Sequence, residues 1–337
     1  MKKNRQTNFE LLRILCALMI IAGHVMMIHG SGEFGSFSSR TSLLLGPWCD
    51  CAVNSFVLLS GYFGIRTNAK KLWQMNDMVT FYSVILLGVA CAWGGHILDV
   101  KRDFMLLFPV LTKRYWFITV YFALCLLAPA LNAFVEKEDR ALLKKTIWIG
   151  ICLFVGVPTF GFLLNFNAVV EDAGYGIVSF CLLYLIGRYW RLEPTMSITM
   201  SMSRSVCLLT YIGCMLGCGL FQWGYSYLLG FPFTSFISYN TIFIFVGSLA
   251  LFGFFSKLDI GSNRFINWLS SFCLCSYVIH LHPLTFPLVF SDLLHVPEME
   301  GWTYIGAIFG LPIVVYAVCA LLESVRRFCF RVLPFYK

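Results

Sequence analysis

Apolar runs of about the twenty residues that a bilayer core demands recur along the chain. They lie near residues 9–29, 46–65, 77–98, 115–135, 145–163, 173–190, 204–224, 235–256, 266–288 and 303–323. Polar or turn-forming residues bound each run. This pattern predicts an all-α integral membrane protein of about ten transmembrane helices. No internal repeat or low-complexity stretch divides the chain, so a single polytopic membrane domain is expected over residues 1–337.

The connecting segments set the expected orientation, because Lys and Arg favour cytoplasmic loops. With the N-terminus inside, nineteen of the 25 Lys and Arg residues fall on the inner side and five on the outer, with Arg13 inside the first run. Both termini are therefore expected in the cytoplasm. The outer segment 99–114 departs from the trend with four basic residues, and its "FMLLFPVLT" stretch is too short to span. An interfacial or partly re-entrant segment is expected there, bordering protein or a watery cavity that satisfies its backbone.

Composition agrees with the pattern. The chain is 59% hydrophobic and 12% charged with a mean hydropathy of +0.77, too little polar surface for a soluble globule of 337 residues. Its aromatic residues, 9 Trp, 15 Tyr and 33 Phe, suit membrane interfaces and tight helix contacts. The net charge of +8 is spread over short loops, which excludes a nucleic-acid partner. Most of the 14 cysteines sit within apolar runs, where they act as small hydrophobes. Cys49/Cys51 and Cys273/Cys275 are isolated C-x-C pairs, and no metal site is expected from them. The "MKKNR" start resembles a signal peptide, but no small-x-small cleavage site follows and His24 interrupts the apolar run, so this stretch is expected to remain as the first helix.

Ionisable groups within spans are costly and mark function by default. The first span, "NFELLRILCALMIIAGHVMMIHG", carries Arg13 and, eleven residues later, His24. At about 100° per residue the two fall within roughly 20° of one another on a single face, about 16 Å apart along the axis. Glu10 shares that face and is placed to pair with Arg13. His29 lies about 140° from His24 and is expected at the outer interface, without a role in chemistry. Arg13 alone is equally compatible with snorkelling to the headgroups. The second span carries Asp50, Asn54 and Ser60, and the ninth carries Tyr277, His280 and His282. Counted at 1.5 Å per residue, His24, His280 and Asn54 lie about 22, 21 and 16 Å from the inner ends of their helices, within reach of one layer. The "SGYFG" that ends the second span is expected to let helices pack closely. Soluble-enzyme signatures such as G-x-S-x-G, a Walker loop, H-E-x-x-H or a dinucleotide fingerprint do not occur.

The chain resembles the membrane-bound acyltransferase family 3, integral membrane O-acyltransferases that modify bacterial surface polysaccharides and related molecules. Arg13 and His24 match that family's arginine, ten residues, histidine motif. "NSFVLLSGYF", "YWFITVYFALCLLAPALN" (Tyr115 to Asn132) and the Tyr-x-x-His of Tyr277 and His280 follow in order. Phe108, Pro109 and Val110 are similar to a motif of some O-antigen-modifying members. Where many members carry Arg-x-x-Arg after the second helix, this chain reads "RTNAKKLW", in which Arg66, Lys70 and Lys71 supply charge but not a bidentate arginine pair. The extra extracytoplasmic hydrolase-like domain of some members does not follow, so delivery of the acyl group alone or to a separate partner is expected.

The resemblance implies a cytoplasmic acyl-CoA donor, most simply acetyl-CoA, used as a substrate with no permanently bound cofactor, and a carbohydrate hydroxyl as acceptor. It implies residence in the bacterial cytoplasmic membrane. Arg13, with Arg66, Lys70 and Lys71, would hold the coenzyme A phosphates. His24 would act as general base or as covalent acyl carrier, and Asp50, Asn54, Tyr277 or His280 would orient it or support the oxyanion. A polytopic transporter or flippase for a glycan or small polar substrate is the alternative, since the same buried polar residues suit a substrate path.

Overall fold

The structure, a computed structural model, describes residues 5–30, 34–66, 68–164, 166, 172–234 and 237–332; Lys2, Lys3 and Lys337 of the charge pattern lie outside them. Among the described residues the regular structure is helical throughout. Eleven helices of eight or more residues follow in order, a helix interrupted by one tight or wide turn counting as one. They are α1 (Thr7–His29), α2 (Phe37–Phe63), α3 (Ala69–Ala92), α4 (Trp116–Lys137), α5 (Arg140–Leu164), α6 (Ile177–Leu192), α7 (Arg204–Leu229), α8 (Ile242–Ser256), α9 (Arg264–His280), α10 (Thr285–Leu293) and α11 (Gly301–Val332).

Seven of these, α1 to α5, α7 and α11, are long and apolar enough to cross a membrane, and α9 with α10 makes an eighth if the bent pair counts as one span. The expected ten runs are thus met by elements of three kinds. The remaining two, α6 and α8, have 16 and 15 residues. Hydropathy had extended those two runs through 173–176 and 237–241, where the chain makes turns. The run at 266–288 is not continuous either: its two halves meet at 98° around Leu281–Leu284. Pro283 cannot donate a backbone hydrogen bond, yet the break leaves few backbone groups bare. Leu281 N–H donates to Tyr277 O at 3.3 Å, and Phe286 N–H to His282 O at 2.9 Å.

The helices sort into two compact units, each assembled from interleaved stretches of chain. The first comprises residues 1–30, 73–115 and 261–337. In it α1 packs against α11 and α9. Leu12, Cys16, Ile21 and Val25 form the fully buried stripe of α1. Lipid is as apolar as these side chains, so packing and polar contacts, not water exclusion, fix the register of such helices. Asn263 Oδ1 caps α9 by accepting from Phe265 and Ile266 N–H, at 2.9 and 3.0 Å, while its own N–H donates to Thr7 Oγ1 at 3.0 Å. Further along, Glu323 of α11 is 1% exposed and receives Arg326, Arg327 and the Tyr82 hydroxyl at 2.7 to 2.8 Å. Arg327 continues to Ser271 Oγ and O, both at 2.9 Å, tying α11 to α9.

Segment 99–114 forms a helical turn (Val100–Asp103) and a tighter one (Phe104–Leu107). Leu106 and Val110 are buried, with Ser83 Oγ–H donating to Leu106 O at 2.7 Å, while Val100, Phe104, Phe108 and Leu111 are exposed. One face docked and one apolar face bare is what an interfacial segment requires.

The second unit comprises residues 31–72 and 116–260, with α2 packed against α6, α7 and α8. Ser36 Oγ caps α2 by accepting from Ser39 N–H at 3.1 Å. Where α2 crosses α6 the backbones touch: a Cβ at Gly61 would run into the Tyr184 carbonyl, and one at Gly187 into the Leu58 carbonyl. The "SGYFG" stretch thus supplies close approach, as small residues do between membrane helices. The turn after α2 is held by a closed set of hydrogen bonds. Ile65 N–H donates to Tyr184 Oη at 2.9 Å, Tyr184 O–H to Asn132 Oδ1 at 2.8 Å, and Asn132 Nδ2 to Ile65 O at 3.0 Å. In α5, a wide turn at Cys152–Gly156 precedes Pro158 and absorbs its missing donor.

Candidate active site

Two polar clusters lie along α1. Near its start, Arg13 Nη1 donates to both Glu10 oxygens at 3.0 and 3.1 Å, and Ser270 Oγ–H donates to Glu10 Oε2 at 2.6 Å. Glu10 is 5% exposed and fixed by α9, whereas the Arg13 side chain keeps 33% of its exposure. The expected pair has formed, with the guanidinium still a third exposed.

About 16 Å further along the helix, His24 Nδ1 lies 2.8 Å from His280 Nε2. His280 is the last residue of α9, at the broken span, and its Nδ1 lies 2.5 Å from Ser276 O. A carbonyl oxygen only accepts, so His280 Nδ1 carries the proton. Neutral His280 then offers a lone pair at Nε2, and His24 Nδ1–H must donate to it. His24 is left with its lone pair on Nε2, which meets no hydrogen-bond partner among the described residues. His24 is half-buried, and its ring lies 6.2 Å from that of Phe286, just past the break.

Tyr277 packs edge-on to His280 at 6.3 Å and faces Tyr115 at 6.2 Å. His282 is fully buried in the break, where its Nδ1 accepts from Thr285 N–H at 3.4 Å, helping to hold the turn. His29, expected at an interface, is 8% exposed; its Nε2 donates to Met299 O at 2.8 Å and its ring packs 4.1 Å from Tyr304. It is a packing residue.

The other candidates belong to the second unit. Asn54 Nδ2 donates to Tyr239 O at 2.8 Å. Asp50, one turn earlier on α2, accepts no hydrogen bond and meets no cation among the described residues. Arg66, Lys70 and Lys71 are exposed, following the turn that Asn132 and Tyr184 hold. Sequence reading takes Arg326 and Arg327 only as inner-side charge and passes over Glu323; the signal is the Glu-x-x-Arg-Arg spacing, which puts one carboxylate under two guanidiniums on a helix. Among the described residues no three His, Cys, Asp or Glu side chains gather as a metal site needs.

Together the fold and this cluster define a multi-pass helical membrane protein with a histidine pair at the break of a bent span. A family model described as an acyltransferase domain matches residues 6–323. The chain belongs to that acyltransferase 3 family, and it is a membrane acyltransferase. No curated protein and no solved structure matches it.

Proposed function

We propose that the protein is an O-acyltransferase of the bacterial cytoplasmic membrane, moving an acyl group, most simply acetyl, from cytoplasmic acyl-CoA to a hydroxyl of a surface or exported carbohydrate. The observation that carries this reading is the ordered chain Ser276 O, His280, His24, which leaves a basic nitrogen at His24 Nε2. A base of this kind needs a second group to set its tautomer.

In the proposed reaction His24 Nε2 removes the acceptor hydroxyl proton as the hydroxyl oxygen attacks the thioester carbonyl carbon. The tetrahedral intermediate collapses, the carbon–sulfur bond breaks, and the proton passes from His24 to the departing coenzyme A sulfur. His280 is a positioning residue, holding the imidazole in the tautomer that accepts the proton. Arg13, on the same face of α1 and fixed by Glu10, holds an anionic part of the donor. Arg66, Lys70 and Lys71 add an exposed basic stretch for its phosphates. Purified protein supplied with acetyl-CoA and a glycan acceptor tests this: coenzyme A release coupled to glycan acylation is expected, and substrate passage without acyl-CoA consumption would favour a transporter.

A further inference from the structure

The second unit holds a cluster that the proposed chemistry does not use. Trp116, the first residue of α4, stacks with Tyr239 at 5.8 Å and 23°; Tyr175 lies 4.5 Å from Trp116 and 4.7 Å from Tyr239 between ring centres. The three rings come from three separate stretches of chain and stay partly accessible, Tyr175 to 40%. Their backbone is fixed. Tyr239 N–H donates to Ala173 O at 3.0 Å, and its carbonyl accepts from Asn54 of α2. Gly174, at φ +83°, fits against them where a Cβ would lie 2.8 Å from Tyr239 Cβ. Tyr175 and Tyr239 lie on connecting segments, where binding residues concentrate, and Trp116 opens α4 against them.

Two acceptors without donors accompany the rings. Asp50 lies one turn from Asn54 on the same face of α2, and its carboxylate has no hydrogen bond or ion pair among the described residues. Burial, and then Asp50, raise the Tyr175 phenol above its ordinary range, so Asp50 lies within electrostatic reach of that ring. Asn240, following Tyr239, is 4% exposed, and its Oδ1 accepts nothing among the described residues. Asn240 Oδ1 is buried and Asp50 half-buried, and a buried acceptor left unpaired is costly, so the two suit a ligand rich in donors. That ligand must also present apolar faces to three rings. Sugars do both: hydroxyls supply the donors, and the C–H faces of the pyranose ring lie against aromatic rings.

We infer that Trp116, Tyr175 and Tyr239, with Asp50 and Asn240, form a carbohydrate-binding subsite that takes the neutral sugar of the acceptor glycan. The inference rests on the proposed carbohydrate acceptor and is tested apart from catalysis. The probe is a tritium-labelled oligosaccharide released by mild acid from the source cell's surface glycan, bound to the full chain in lipid nanodiscs, with acetyl transfer to it from acetyl-CoA followed in parallel. Wild type binds saturably; Trp116→Ala and Asp50→Asn each weaken binding by about tenfold or more, roughly 1.4 kcal/mol, Trp116→Phe keeps most of it, and His24→Ala keeps binding while losing transfer. Should Trp116→Ala fail to fold, Tyr175→Ala, in an exposed turn, is expected to weaken binding in the same way. No saturable binding by wild type, unchanged binding in Asp50→Asn and the ring variants, or displacement by choline but not by unlabelled oligosaccharide would overturn the subsite. Saturable, variant-sensitive binding without transfer by wild type would leave the subsite standing and overturn the proposed reaction.

Discussion

Nδ1 of His24 on α1 sits 2.8 Å from Nε2 of His280 at the end of α9. The two histidines are 256 residues apart in sequence, and the Ser276 carbonyl fixes the direction of both protons. A nitrogen without a hydrogen is thereby presented at the only other position on the His24 ring able to act as a base.

If His280 acts by setting this tautomer, its loss should lower turnover and leave donor binding alone. His280→Ala is expected to reduce kcat by about 10² to 10⁴-fold, the range that positioned base catalysis supplies, with KM for acetyl-CoA unchanged. His280→Gln, whose amide oxygen can accept from His24 Nδ1–H, should recover part of the rate. Equal kinetics for the Ala and Gln variants would argue for a merely structural role.

Arg13 is expected to act on the donor. Arg13→Lys keeps the charge and loses the planar fork, so KM for acetyl-CoA should rise about tenfold, roughly 1.4 kcal/mol. Unchanged affinity would return Arg13 to the role of a snorkelling residue tied to Glu10.

Glu323 is a structural centre. It is nearly fully buried and receives two arginines and a tyrosine. Removing one member of such a group leaves the others uncompensated, at a cost of about 3–5 kcal/mol. Glu323→Ala should therefore lower the midpoint of thermal unfolding in detergent far more than an exposed change such as Lys70→Ala.

The crossing of α2 and α6 leaves no room for side chains at Gly61 and Gly187. Gly187→Val forces the backbones apart and is expected to destabilise by about 1–3 kcal/mol or more. Its readout is loss of monodisperse protein on size exclusion.

Hydropathy located α1 to α5, α7 and α11, because each of these helices is itself as long as the apolar run that marks it. It overran α6 and α8, since a window averages over turn residues that are themselves apolar, such as Tyr175, Ile237 and Tyr239. It also read straight through Pro283, because His280 to Thr285 is too short a polar interruption to outweigh its neighbours. That break is where His280 meets His24. The helical spacing placed Arg13, Glu10 and His24 on one face, and depth counting put His24 and His280 at one level. Which nitrogen of His24 stays bare depended on the partner of His280, a local backbone carbonyl that no spacing rule reveals. The carboxylate at Asp50 was visible as an intramembrane acid, but the aromatic rings beside it come from segments with no shared pattern. The family membership, over residues 6–323, bears out the family resemblance.

The central claim is that His24 Nε2 takes the acceptor proton. Its most direct test is the rate of acetyl transfer from labelled acetyl-CoA to glycan by purified, correctly folded His24→Ala against wild type. A fall to the uncatalysed background is predicted; transfer at the wild-type rate would contradict the assignment.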